Sequence, residues 1–186
     1  MNSRDEVLTP RLRLRRWREH DKPLMAAINR DPEVARYLNR PVDESADAFF
    51  GLVVDHWHEH GFGFYAVELR HACAPLEFIG FVGVAYPTYL PEVADRPELG
   101  WRLARSVWGQ GYATEAALAA RDDAFARGGL AELIAVIHPD NARSRRLAEK
   151  LGMAIEREVY NPLLERNVDI WRVDRQSSDP AAWSVP

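Results

Sequence analysis

Residues Trp108 to Glu115, read as Trp-Gly-Gln-Gly-Tyr-Ala-Thr-Glu, constrain the fold more than any other stretch of this chain. Two glycines flank Gln110 directly after the apolar run Glu98–Leu103, and the helical pattern Ala113–Arg127 follows at once. Glycine permits a tight turn with bare N–H groups, and a helix start adds its own unpaired donors. The helix dipole makes such a corner favour negative charge, so the segment reads as a phosphate cradle. A nucleotide P-loop would end in Gly-Lys-Ser/Thr, and no lysine or arginine occurs between Trp108 and Ala120. A dinucleotide fingerprint would need glycine or alanine at 114, where Thr114 stands, and an early parallel βαβ unit around it. On this segment alone, an ordinary glycine-rich turn remains open.

A second segment narrows the choice. Asn141 follows the strand pattern Leu133–Ile137 and can cap a new helix. Leu147 and Leu151 form the apolar i, i+4 stripe of that helix, and Gly152 is placed to end it in the left-handed conformation.

Together the two segments resemble those of the GNAT N-acetyltransferases, in the branch similar to acetylases of ribosomal-protein amino termini. The family's Gln/Arg-x-x-Gly-x-Gly/Ala loop maps onto Trp108, Gly111 and Ala113, and its Asn-x-x-Ser segment onto Asn141 and Ser144. The resemblance spans residues 8–175, leaving 1–7 and 176–186 as flexible tails of a single domain. It implies an acyl-CoA arm lying in a gap between the fourth and fifth strands. Main-chain groups of Trp101, Arg102 and Leu103 would pair with that arm. Gly109, Gln110, Gly111, Tyr112, Ala113 and Thr114 would wrap the diphosphate, and Asn141 would bind the pantetheine amide.

The reading along the chain agrees with one α+β domain, a mixed and mostly antiparallel sheet with helices on both faces. Leu12 and Leu14 alternate among arginines as a half-buried strand, and Asp21 offers a cap for a helix to about Asn29. Asp43 to His60 reads as an amphipathic helix bearing Phe49, Leu52, Val53 and Trp57 on one side. Phe62–Leu69 and Glu77–Val84 read as strands joined by a turn with Ala74 and Pro75, and Tyr86–Pro97 as a proline-rich loop. Met153–Tyr160 and Asn167–Val173 read as a closing antiparallel pair.

The 186 residues, 47% apolar, suit a sizeable core, and no apolar run reaches membrane-spanning length. The net charge of −4 exerts no general pull on nucleic acid. The single Cys73 and the absence of an apolar leader fit a reducing cytoplasm.

The resemblance implies acetyl-CoA as donor, no metal, and an amine acceptor on a protein N-terminus or a small molecule. Cys73 has no evident basic partner, so direct transfer is expected rather than a covalent enzyme intermediate. Glu98, on the strand leading to the carbonyl site, is the expected base, with Glu158 in reserve. Many relatives carry a tyrosine where Ala148 stands, so Ser144 is the expected proton donor, with Tyr160 as second choice. At pH 7 an α-amine loses its proton for about 1.4 kcal/mol and a lysine for about 4.6, so the acceptor decides how strong the base must be. A non-catalytic acyl-CoA sensor on the same fold is the alternative; its one support is Ala148. His56 and His60 share a helix face, but Glu59 is misplaced for a His-Glu-x-x-His metal site. Arg143, Arg145, Arg146 and Arg105 are candidate partners of the cofactor's 3′-phosphate. Trp57 and Trp171, expected at the surface, suggest a homodimer.

Overall fold

A computed structural model describes residues 6–38, 46–70 and 77–175. The strands are β1 (Glu6–Leu8), β2 (Leu12–Arg15), β3 (Phe64–Leu69), β4 (Glu77–Ala85), β5 (Glu98–Leu103), β6 (Glu132–Ile137), β7 (Ala154–Asn161) and β8 (Arg166–Asp174). The helices are α1 (Asp21–Asn29), α2 (Pro32–Ala35), α3 (Ala46–His60), α4 (Tyr112–Ala126) and α5 (Ala142–Lys150). The eight strands form one open sheet in the order β1-β2-β3-β4-β5-β6-β8-β7. Every neighbouring pair is antiparallel except β5 with β6.

That exception shapes the molecule. The parallel pair has one register partnership, Glu98 with Ile134, whereas β4 and β5 are in register from Gly80–Leu103 to Ala85–Glu98. The Ile134 N–H donates to the Pro97 carbonyl at 2.9 Å, and beyond that point the strands part. The gap expected between the strands Glu98–Leu103 and Leu133–Ile137 is therefore present. It falls between the fifth and sixth strands because Glu6–Leu8 adds a short strand that begins within the segment 1–7 read as tail.

Helices cover both faces. Successive side chains of a strand point to opposite sides, and β3 shows the division. Phe64 packs with Phe49 of α3 and with Phe81, while the Tyr65 hydroxyl donates to Asp123 of α4 at 2.7 Å. Alanine, the best helix former, supplies the buried face of α4. Ala116, Ala117, Ala120 and Ala124 are buried, and these small side chains let the helix lie close to the sheet. Two indoles, Trp17 and Trp57, donate to the one Phe64 carbonyl at 3.1 and 2.9 Å and tie α3 to the start of β3.

Two local expectations change. Asp21 does not cap α1: the N-cap is His20, without a side-chain bond, and Asp21 is fully buried. Its carboxylate accepts both Nη groups of the buried Arg15 at 2.7 and 2.8 Å, and Arg15 also donates to Glu68. Trp57 and Trp171 are only 4% and 3% exposed, so the surface aromatics invoked for a homodimer are core residues. The turn with Cys73, Ala74 and Pro75, the start of the Asp43–His60 helix, residues 1–5 of the first tail and all of the tail 176–186 lie outside the described residues.

Candidate active site

The glycine corner joins β5 to α4 through two left-handed residues. After β5 a 3₁₀ turn (Arg105–Val107) leads to Trp108, whose indole donates to the Leu103 carbonyl at 2.9 Å. Gly109 and Gly111 both lie in the left-handed region, at φ +77° and +83°, where other residues are strained. Gly111 is the N-cap of α4 and makes no side-chain cap bond. Glu115 supplies the first N–H to bond back, to the Gly111 carbonyl at 3.0 Å. The N–H groups of Tyr112, Ala113 and Thr114, ahead of it, have no partner among the described residues, as expected of a helix start.

Arg11, which the sequence reading passed over, braces this corner. Its Nε meets Glu115 Oε2 at 2.6 Å, one Nη donates to the Gln110 carbonyl at 3.0 Å, and the guanidinium lies 4.4 Å over the Tyr112 ring. Burial pushes the Glu115 carboxyl up, but bonds from Thr9 and Arg11 outweigh it and hold the group below the usual carboxylate range. The Gln110 side chain turns away to donate to the Ser106 carbonyl at 3.1 Å. A Cβ on Gly111 would head toward Arg11, 3.3 Å from Nη2, while one on Gly109 would meet nothing within 4 Å.

A cleft of about 970 Å³ runs from this corner along the parted strands. Gly109, Gly111, Ala113 and Thr114 line one end, and Glu98, Trp101 and Ser144 lie further along it. The Ala104 N–H bonds to Ile79 of β4 at 2.8 Å, so by two-residue alternation the peptide groups of Arg102 also face β4. Those of Trp101 and Leu103 face the gap. Of the three expected main-chain partners, these two open onto the gap, although the Leu103 carbonyl already accepts the Trp108 indole. The Arg102 guanidinium bonds Asn29 and lies over Phe49 and Phe81.

Asn141 caps α5, its Oδ1 accepting the Ser144 N–H at 3.1 Å. Ser144 does not bond back to its helix. Its Oγ accepts the Trp101 indole N–H at 3.2 Å, across the gap between β5 and α5. Glu98 stands where β5 and β6 part, is 8% exposed, and receives the Tyr89 hydroxyl at 2.9 Å from each oxygen. Tyr89 is a second residue missed, because the proline-rich loop that carries it has no readable period.

The reserve candidates do not reach the cleft. β8 inserts between β6 and β7, so β7 is the far edge of the sheet. Tyr160 on it is 54% exposed, and Glu158 accepts from Asn167 at 2.8 Å. Ala148 is fully buried in the core. Among the arginines of α5, Arg143 lies 4.6 Å over the Trp108 ring and Arg146 lines the cleft, whereas Arg145 pairs with Asp169 at 2.9 Å. Arg105, in the 3₁₀ turn, is exposed.

His56 also lines the cleft. Its Nε2 accepts the Tyr86 N–H at 3.1 Å and its Nδ1 faces the Phe62 carbonyl at 2.8 Å, so the neutral Nδ1–H tautomer satisfies both partners. Burial lowers the His56 pKa below the usual histidine value. The His60 ring lies 4.4 Å away at a 53° tilt, but both His56 nitrogens are in use, and among the described residues no acid, histidine or cysteine cluster could hold a metal ion. Glu33, Asp55 and Glu59 join Glu98 in the wall, together with Arg36. Among the described residues, no helix is long and apolar enough to cross a membrane.

Comparison with known proteins accords with this geometry. Residues 11–154 match the family model of the acetyltransferase (GNAT) domain. The uncharacterized protein YkkB of Bacillus subtilis strain 168 is 30% identical over 165 residues, covering 86% of this chain and 91% of that one. The crystal structure of an acetyltransferase from Agrobacterium tumefaciens strain C58 is 28% identical with a TM-score of 0.78, over 94% of this chain and 97% of that one. A spermidine N-acetyltransferase from Vibrio cholerae, solved with CoA and spermine, shares the fold at 19% identity and a TM-score of 0.72, over 91% and 99% of the two chains. With an uncapped glycine corner opening onto parted strands, the chain belongs to the GNAT family of acetyltransferases.

Proposed function

We propose that this acetyltransferase uses acetyl-CoA as donor and acetylates a primary amine directly, without a covalent enzyme intermediate. The observation that carries this reading is the single register partnership between β5 and β6, which opens the peptide edge of Trp101 and Leu103 beside unpaired N–H groups of α4. Those two features suit the two ends of an acyl-CoA: amide donors and acceptors for the pantetheine arm, and a positive helix end for the diphosphate. A protein of the same fold holds CoA together with a polyamine.

Bound there, the donor supplies a thioester carbonyl. The chain's residues do the rest. Main-chain N–H groups of the open strand edge polarise the carbonyl oxygen, a role worth roughly 10²–10³ in rate per donor. Glu98 takes a proton from the acceptor nitrogen, directly or through one water, as the new C–N bond forms. Ser144 has one lone pair filled by the Trp101 indole, so its hydroxyl hydrogen is left to stabilise the departing sulfur as the C–S bond breaks. Asn141 offers its amide N–H to the pantetheine arm, and Arg143 and Arg146 offer charge to the 3′-phosphate. Thiol release from acetyl-CoA, screened over peptide N-termini, aminoglycosides and polyamines, tests the reading. Amine-dependent release is expected; failure to bind acetyl-CoA at all overturns it.

A further inference from the structure

We infer that Arg11 positions the diphosphate grip by holding the Gln110–Gly111 peptide in one orientation; this rests on the acyl-CoA reading above. In a planar trans peptide the carbonyl and the N–H point in opposite directions. Arg11 Nη1 donates to the Gln110 carbonyl at 3.0 Å, so the N–H of Gly111 in the same plane is turned away from Arg11. Glycines at φ +77° and +83° flank this residue, and glycine populates either sign of φ with similar ease. The peptide is therefore easily turned over, and the reversed form would present a carbonyl oxygen where an N–H is needed.

The guanidinium is itself held, through a Glu115 carboxylate that is fixed from several sides. Nε bonds Glu115 Oε2 at 2.6 Å, the Arg11 main-chain N–H bonds Oε1 at 2.9 Å, and the Thr9 hydroxyl bonds Oε1 at 2.6 Å. Stacking on Tyr112 at 4.4 Å completes the clamp. The same ion pair neutralises a carboxylate in the first turn of α4, which would otherwise repel an anion. Trp108 supplies no charge to the loop; Arg11, from the turn between β1 and β2, brings one to its Gln110 carbonyl.

The test compares CoA with S-acetylpantetheine, which lacks the diphosphate, by calorimetric titration of wild type, Arg11→Ala and Arg11→Lys, with melting temperatures recorded without ligand. Arg11→Ala should weaken CoA binding roughly tenfold to a hundredfold, the range of one charge-assisted hydrogen bond, and leave S-acetylpantetheine affinity unchanged. Arg11→Lys should weaken it in the same direction, because an ammonium cannot hold a carboxylate and a carbonyl as a planar fork does. Equal losses for both ligands, full rescue by lysine, or a lowered melting temperature with unchanged CoA affinity would overturn the assignment. A wild type that binds no CoA defeats the acyl-CoA reading itself, a result separate from variants that match the wild type.

Discussion

Replacing Gly111 with alanine probes the corner through its backbone. Alanine can keep φ at +83°, which costs about 1–2 kcal/mol for a residue with a Cβ, and that Cβ would sit 3.3 Å from Arg11 Nη2. Alternatively the Gln110–Gly111 peptide turns over, relieving the strain but withdrawing the N–H from the anion site. In a domain of this size each kcal/mol shifts the melting temperature by about 2–4 °C, so the first route lowers it by about 2–8 °C. Acetyl-CoA at a hundred times its dissociation constant should stabilise the wild type by about 2.7 kcal/mol, a rise of about 5–11 °C. The assay is thermal unfolding with and without acetyl-CoA. Gly109→Ala, with the same left-handed φ and nothing within 4 Å of its Cβ, calibrates the conformational strain in melting temperatures taken without ligand. We expect the ligand-induced rise of Gly111→Ala to shrink to less than half of the wild-type value. An undiminished rise in Gly111→Ala would refute the claim that this peptide takes part in the grip.

Further outcomes follow from other contacts. Glu98→Gln should lower kcat by about 10²-fold or more while leaving stability close to wild type, since the amide can still meet Tyr89; a loss of stability alone makes Glu98 structural. Ser144→Ala should cut turnover by up to about 10²-fold in the same amine assay, and unchanged turnover would remove it from the proton path. Asp21→Ala leaves the buried Arg15 without its bidentate partner and should destabilise the fold by roughly 3–5 kcal/mol in urea titration. For His56 the folded pKa is lowered, so near and below about pH 6.5 the unfolded chain binds more protons than the folded one. Its stabilising contribution is complete above that pH and is lost as pH falls toward the folded pKa. His56→Gln should flatten this acid limb in urea midpoints measured from pH 7.5 to 5.

The features legible in the sequence were those written in short-range pattern. The Trp108–Glu115 corner, the Asn141 cap, the Leu147–Leu151 stripe and the left-handed Gly152 each depend on a few neighbouring residues and on steric rules that act locally. Alternating Leu12 and Leu14 likewise located β2, both fully buried. What that alternation could not reveal is that Arg15, in the same strand, is buried too, because its partners Asp21 and Glu68 come together only after β2 pairs with β3.

Tertiary structure alone decided which chemical groups share the cleft. Arg11 and Glu115 are 104 residues apart, and no local spacing announces their contact. The insertion of β8 between β6 and β7 carries Glu158 and Tyr160 to the far edge, although their residue types suited the chemistry. Trp57 and Trp171 were assigned to the surface because an amphipathic pattern tells which side of an element is apolar, not how completely its neighbours cover it. Local sequence specifies the shape of a turn or helix end through nearby sterics and hydrogen bonds. The meeting of Trp101 with Ser144, or Tyr89 with Glu98, depends on strand order and packing, which are properties of the whole chain.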